Sequence, residues 1–169
     1  MFLKILVFPD QRLRTVASKV ENVDSKIESF CEDLLKTMYK SKGIGLAATQ
    51  VDFHKRIIVI DISEEKDSPL VLINPTITIL SPDSLMDYEE GCLSVPGFFE
   101  SVHRPDSIEV KALNEKGEVI KFQADGLLAL VIQHEYDHLD GKVFVDYLSS
   151  LKRQRIRKQL LKQKRERLK

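Results

Sequence analysis

The chain of 169 residues has no tryptophan and only two cysteines, Cys31 and Cys92. Two thiols are too few for a secreted disulfide framework, and a reducing, cytoplasmic setting fits them. No apolar segment approaches the ~20 residues needed to span a bilayer. The opening stretch Met1–Pro9 is brief, runs into charge and has no small-residue cleavage site, so it does not read as a signal peptide. Internal repeats and low-complexity segments are lacking too. The length fits one domain with a real core. Net charge is also absent, but the balance is uneven. Residues 151–169 hold ten Lys/Arg and one acid, Glu166, whereas the other 150 hold 16 basic and 25 acidic side chains. The chain therefore divides into a body, 1–150, and a basic tail, 151–169, which is either a contact for something anionic or a solvated helix.

The most informative stretch is Gln133-His134-Glu135-Tyr136-Asp137-His138-Leu139-Asp140-Gly141, entered through the apolar run Leu127–Ile132. The run predicts a buried helix, and Gly141 stands where a helix C-terminal glycine would. Residues four apart share a helix face, so His134 and His138 point at one spot. Two imidazoles and a glutamate in a buried helix are costly unless compensated, and a metal compensates them. Downstream there is no histidine, so a third ligand has to come from elsewhere in the chain. Cys92 is the candidate. Cys31 lies on the apolar stripe of an amphipathic helix (Ile27, Phe30, Leu34, Leu35, Met38) and reads as core. Cys92, His134 and His138 make three protein ligands with an open fourth position, the arrangement of a catalytic site.

Around these features the pattern predicts α+β architecture: short, mostly antiparallel strands around a central metal-binding helix, with an N-terminal helix and a basic C-terminal helix. The N-terminal helix runs from an Asp24 or Ser25 cap, with Glu28 closing a capping box, to about Lys42. Arg56–Ile62 is a β-branched strand, Leu70–Ile73 a second one broken at Asn74-Pro75, and Thr76–Leu80 a third. Phe98–Pro105 reads as a loop. Ser107–Leu113 and Val119–Ala124 form a hairpin. Gly43–Gln50, with little side-chain bulk, reads as a tight buried turn or a loop that another backbone approaches. His54 and His103 read as exposed.

Taken together, Gly43-Ile44-Gly45-Leu46-Ala47-Ala48-Thr49-Gln50, Glu90-Gly91-Cys92-Leu93-Ser94 and Gln133-His134-Glu135-Tyr136-Asp137-His138 resemble, in order and spacing, the three motifs of the peptide deformylase family. The resemblance covers essentially the whole chain. It implies a hydrolase that removes the N-terminal formyl group from formyl-methionine of nascent polypeptides, by attack of a metal-bound water on the formyl carbon. It implies Fe²⁺, with Zn²⁺, Ni²⁺ or Co²⁺ able to substitute, where the ligand set alone gives zinc as the default. A metal lowers the pKa of bound water from 15.7 to about 7–9. Glu135, turned ~100° from His134 around the helix, suits a general base that then protonates the departing amine. The resemblance further implies that the Gln50 amide and the Leu93 backbone N–H stabilise the oxyanion. It also implies that substrate lies extended along Ile44, Gly45 and Gly91; in this light the +9 balance of the basic tail suggests a ribosome contact. Leu128, Val131 or Ile132 is expected to line the methionine pocket. One departure lies outside the motifs: some members carry an arginine where this chain has Phe99.

Two other readings remain. A His-Glu-x-x-His metallopeptidase wants a downstream ligand that this chain lacks. A ribosome-binding protein with a structural metal wants a fourth Cys or His and leaves Glu135 without a use.

Overall fold

The computed structural model describes residues 1–169. The N-terminal segment runs extended, tied down where Leu6 N–H donates to the Gln50 carbonyl and Phe8 N–H to that of Ser94. Helix α1 spans Ser25–Lys40. Its cap is Asp24, whose carboxylate accepts from the Lys26 and Ile27 N–H groups, so the Ser25–Glu28 box is not what starts it. Cys31, Leu34, Thr37 and Met38 form its buried stripe.

Seven strands follow: β1 Gly45–Ala47, β2 Ile57–Ile60, β3 Leu70–Ile79, β4 Leu85–Cys92, β5 Val95–Pro105, β6 Ser107–Leu113 and β7 Val119–Asp125. Five form an antiparallel sheet in the order β1-β2-β3-β6-β7, while β4 and β5 pair as a separate hairpin. Helix α2, Gly126–Leu139, packs across the larger sheet, and helix α3, Ser150–Arg167, closes the chain. The architecture is the α+β arrangement expected. No helix is long and apolar enough to cross a membrane.

Three local expectations are corrected. Gly43–Gln50 is not simply a loop: Gly45–Ala47 pairs with Ala47 opposite Ile58 and Gly45 opposite Ile60, and a 3-10 turn follows over Ala48–Val51. Glycine and alanine are poor strand formers, so only the partner strand makes this one. Leu70–Ile79 is one strand, not two. It passes Asn74-Pro75 through a bulge in which Asn74 has φ 51° and exchanges two hydrogen bonds with the Val20 backbone. A bulge accommodates a proline that a regular ladder rejects. Phe98–Pro105 is strand β5 rather than a loop. Inward positions of the hairpin include Glu90 and Arg104, which pair with each other. Charges at buried positions break the apolar alternation by which strands are read.

The core has two regions against the sheet and a third on the hairpin. Ile58, Ile60, Leu72, Ile108, Val110, Ala129 and Ile132 fill the space between sheet and α2. Cys31, Leu34, Met38, Leu46, Ile57, Val59 and Ile73 fill the space under α1. All four residues of β2 are buried, because both sheet faces are covered at this strand. In the third region Ile156 and Leu160 of α3 join Leu6, Phe8, Val95, Val102 and Phe144.

Candidate active site and metal centre

Helix α2 is buried nearly all round, as its unbroken apolar run Leu127–Ile132 requires. It ends with Asp140 as cap and Gly141 at φ 74°, whose N–H donates to the His138 carbonyl. The carbonyl of Arg14 lies 2.5 Å from where a Gly141 Cβ would sit, so only glycine allows this exit. His134 and His138 lie one turn apart, ring centroids 5.2 Å apart and nearly perpendicular. Cys92, the last residue of β4, reaches them at a register shift between Gly91 and Cys92. Its Sγ and one nitrogen from each ring lie within 4.8 Å of one another, a group able to hold a metal ion. Sγ is 3.4 Å from His138 Nε2.

The chemistry of this donor set fits a divalent transition metal. A thiolate and two imidazoles are borderline-soft ligands. Burial and the neighbouring His134 hold the His138 imidazole well below its usual pKa. His134 Nδ1 is 2.7 Å from Glu90 Oε1, which directs Nε2 toward the thiol. Arg104 holds Glu90 in turn, donating from Nε at 2.6 Å and from the far guanidinium nitrogen at 3.0 Å, and donates to Asp137 at 2.9 Å. Tyr147 closes the chain of bonds by donating to Asp137 at 2.7 Å. Burial alone would raise the Glu90 carboxyl pKa, but the bonds from His134 and Arg104 outweigh it and hold the group ionised. Nothing in the sequence marks Glu90, Arg104 and Asp137 as a unit. Glu90 stands two residues before Cys92 and could have been suspected, whereas Arg104 carries no local signal.

The group opens on a cleft of about 420 Å³. One wall is Ser41–Gly45, the other Tyr88–Leu93 with Pro96, Gly97 and Phe99, and the floor is Leu130, Val131, His134 and Glu135. Of the expected pocket residues only Val131 lies here. Leu128 and Ile132 pack toward the sheet, and Leu130 takes their place. Helical arithmetic explains this, since Leu130 and Val131 precede His134 by four and three residues and share its face.

Glu135 is 4% exposed on average yet lines the cleft, with Oε1 4.0 Å from His134 Nε2 and Oε2 without a hydrogen-bond partner. Burial pushes its carboxyl up to about 7. Gly45 leaves room for it: a Cβ there would lie 2.6 Å from Oε1. Ile44, Gly45, Gly91 and Leu93 line the cleft. Gln50 sits behind Cys92, its side-chain Oε1 accepting from Ala47 N–H at 2.8 Å. Its Nε2 donates to Ser94 Oγ at 3.0 Å and lies 3.5 Å from the sulfur. Of the remaining histidines, His103 is exposed and bonded to Asp87. His54, expected to be exposed, is half-buried against Asp52.

Known proteins resemble this chain over nearly its whole length. The polypeptide deformylase family model matches residues 2–154. A peptide deformylase of Teredinibacter turnerae is 61% identical over 165 residues, 98% of each chain. A crystal structure of a peptide deformylase from Legionella pneumophila superposes with TM-score 0.92 at 43% identity, covering 100% of this chain and 99% of that one. The peptide deformylase of Ehrlichia chaffeensis in complex with actinonin superposes with TM-score 0.93 at 40% identity, covering 97% and 98%. This chain belongs to the peptide deformylase family, metal-dependent hydrolases that remove the formyl group from N-terminal formyl-methionine.

Proposed function

We propose that the cleft beneath β1 and β4 is where deformylation takes place, with Cys92, His134 and His138 holding the metal. The observation that carries this reading is the convergence of one thiol and two imidazole nitrogens beside a cleft that Cys92, His134 and Glu135 line. The ion is Fe²⁺ in our reading, with Zn²⁺, Ni²⁺ or Co²⁺ able to replace it. When bound, it supplies Lewis acidity, which polarises the formyl oxygen and acidifies a water molecule.

The chain's own residues do the rest. β1 is the edge strand of the larger sheet, so its outer side offers backbone groups to an extended peptide running past Ile44 and Gly45. Gly91 on the opposite wall completes the slot. Backbone contacts ignore side-chain identity, which suits an enzyme acting on many nascent chains. Leu130 and Val131 supply apolar surface for the methionine side chain. Glu135 takes a proton from water and returns it to the departing amine, a role that its raised pKa near neutrality favours. The Gln50 amide and the Leu93 backbone N–H offset charge on the formyl oxygen as the carbon becomes tetrahedral. Glu90 fixes the His134 ring, and Arg104 fixes Glu90.

The test is formate release from formyl-Met-Ala-Ser by nickel-loaded protein beside Glu135→Ala. The variant should keep its metal and lose about 10²–10⁴ in turnover. Equal release by both proteins would remove Glu135 from the chemistry.

The setting is the cytoplasm, and residues 1–150 form the catalytic body. The face of α3 carrying Arg155, Lys158 and Lys162 binds ribosomal phosphate without sequence preference. Because Ile156 and Leu160 sit in the core, charge reversal at those three positions tests this better than deleting the helix. Co-sedimentation with ribosomes unchanged by the reversal at low salt would refute the contact.

A further inference from the structure

The Ser41–Gly45 wall of the cleft is held at two points. At one end it hangs from the last turn of α1, where the N–H groups of Ser41, Lys42 and Gly43 donate to the carbonyls of Thr37, Tyr39 and Met38. At the other end the Asp61 N–H donates to the Ile44 carbonyl at 2.9 Å, one step beyond the Gly45–Ile60 pair of the β1–β2 ladder. One side chain joins the two anchors. Asp61 is buried and lines no part of the cleft, so it touches no substrate. Its carboxylate accepts from Tyr39 Oη in the last turn of α1 at 2.6 Å and from the Ser68 N–H at 3.2 Å through one oxygen. The other oxygen accepts from the Ser63 N–H at 2.9 Å and from Ser63 Oγ at 2.5 Å. For stability alone a buried carboxylate is a poor choice, because it is costly to desolvate and an apolar side chain of like volume often serves as well. What four directional bonds supply is fixed geometry. The end of α1 and the end of β2 keep one spacing, and the wall strung between them keeps one distance from the cleft floor. Gly45 shows how close that distance is, since a Cβ there would lie 2.6 Å from Glu135 Oε1.

We propose that Asp61 is a positioning residue for substrate binding: bonded to Tyr39, it sets the place of the Ser41–Gly45 wall, and so how well an extended peptide pairs with Ile44 and Gly45. This inference rests on the reading of the cleft given above. Asp61 takes no part in the chemistry. Cys92, His134, Glu135 and His138 stand on β4 and α2 and are held without it. Its loss therefore weakens peptide binding and leaves the chemical step in place. The expected size is that of about one backbone hydrogen bond to the peptide, or about 3- to 10-fold in KM.

The experiment compares nickel-loaded parent protein, Asp61→Asn and Tyr39→Phe on formyl-Met-Ala-Ser, with metal content measured in each sample. Ile156→Ala, destabilised from outside the cleft, is the control. Each Asp61 oxygen accepts two bonds, one of them from a backbone N–H, so the amide of Asp61→Asn sets a donor against a donor. This variant should raise KM about 3- to 10-fold and keep kcat within about twofold. Tyr39→Phe leaves the bonds from Ser63 and Ser68 in place and should raise KM by less. Inhibition by the product Met-Ala-Ser, which meets the same wall without reacting, should weaken by the same factor as KM rises. Ile156→Ala should leave KM where it is. An unchanged KM in Asp61→Asn with metal content equal to the parent would overturn this inference. So would a rise in KM shared by Ile156→Ala, or a fall in kcat alone, since each would reduce Asp61 to a general structural role. If Asp61→Asn does not fold, Tyr39→Phe decides: KM and product inhibition both unchanged would overturn the inference. No formate from the parent protein would instead overturn the reading on which it rests.

Discussion

Replacing Gly45 by alanine tests how closely the β1 wall and the Glu135 carboxylate are fitted. The backbone of Gly45 is not in the left-handed region, so alanine can adopt its conformation. Space is the obstacle. The new Cβ would stand 2.6 Å from Glu135 Oε1, 2.9 Å from Cγ and 3.0 Å from Cδ. Ordinary contact begins near 3.4 Å, so the carboxylate has to retreat by roughly 0.8 Å, and displacement on the 1 Å scale costs about 10²-fold in rate, or ~2.7 kcal/mol. The three side chains able to hold a metal are not displaced directly, so metal content should match the parent. The assay is formate release under saturating formyl-Met-Ala-Ser, with metal quantified in the same sample. Gly43→Ala is the control. Its Cβ would meet the flexible end of Leu93 at 2.7 Å, away from Glu135, and turnover should fall far less. A Gly45→Ala protein with normal metal and turnover within threefold of the parent, by the same ~1 Å scale, would refute the reasoning.

Glu90→Ala should weaken metal affinity about 10- to 100-fold by freeing His134 Nδ1. It should also cost about 3–5 kcal/mol of stability, because buried Arg104 is left with Asp137 alone; chelator competition and urea unfolding measure the two effects. Ile156→Ala should destabilise by about 2–5 kcal/mol without changing kcat, since Ile156 anchors α3 in the hairpin core rather than in the cleft. Asp61 is 1% exposed and accepts from Tyr39 Oη at 2.6 Å and from Ser63 and Ser68. Burial opposes its ionised form, but those bonds prevail and hold its pKa below the usual carboxylate value. A depressed folded pKa stabilises above the unfolded value near ~3.9 and loses that contribution as pH falls through the folded one. Asp61→Asn should therefore cost stability at pH 7 and progressively less toward pH 3; equal losses at both in urea unfolding would contradict the assignment.

The helix carrying His134, Glu135 and His138 was legible because its information is local. Helical periodicity alone places the two histidines on one face, and the same count finds Leu130 and Val131 below them once the face is known. The buried strand β2, the β6–β7 hairpin, the core role of Cys31 and the charge asymmetry of α3 were legible for similar reasons. What only the tertiary structure decided lies where pairing partners are distant. Residue type points to Cys92 as a ligand, but that its sulfur stands 3.4 Å from His138 Nε2, across 46 residues of sequence, is seen only in the fold. β1 exists because β2 offers it a ladder, against the propensity of glycine and alanine. Hairpin β4–β5 was hidden because Glu90 and Arg104 occupy buried positions that an apolar pattern would fill. Their cost is offset by bonds to each other, to His134 and to Asp137. The residues that carry chemistry could thus be read from type and local spacing, whereas those that hold them in place are identified only by what they touch.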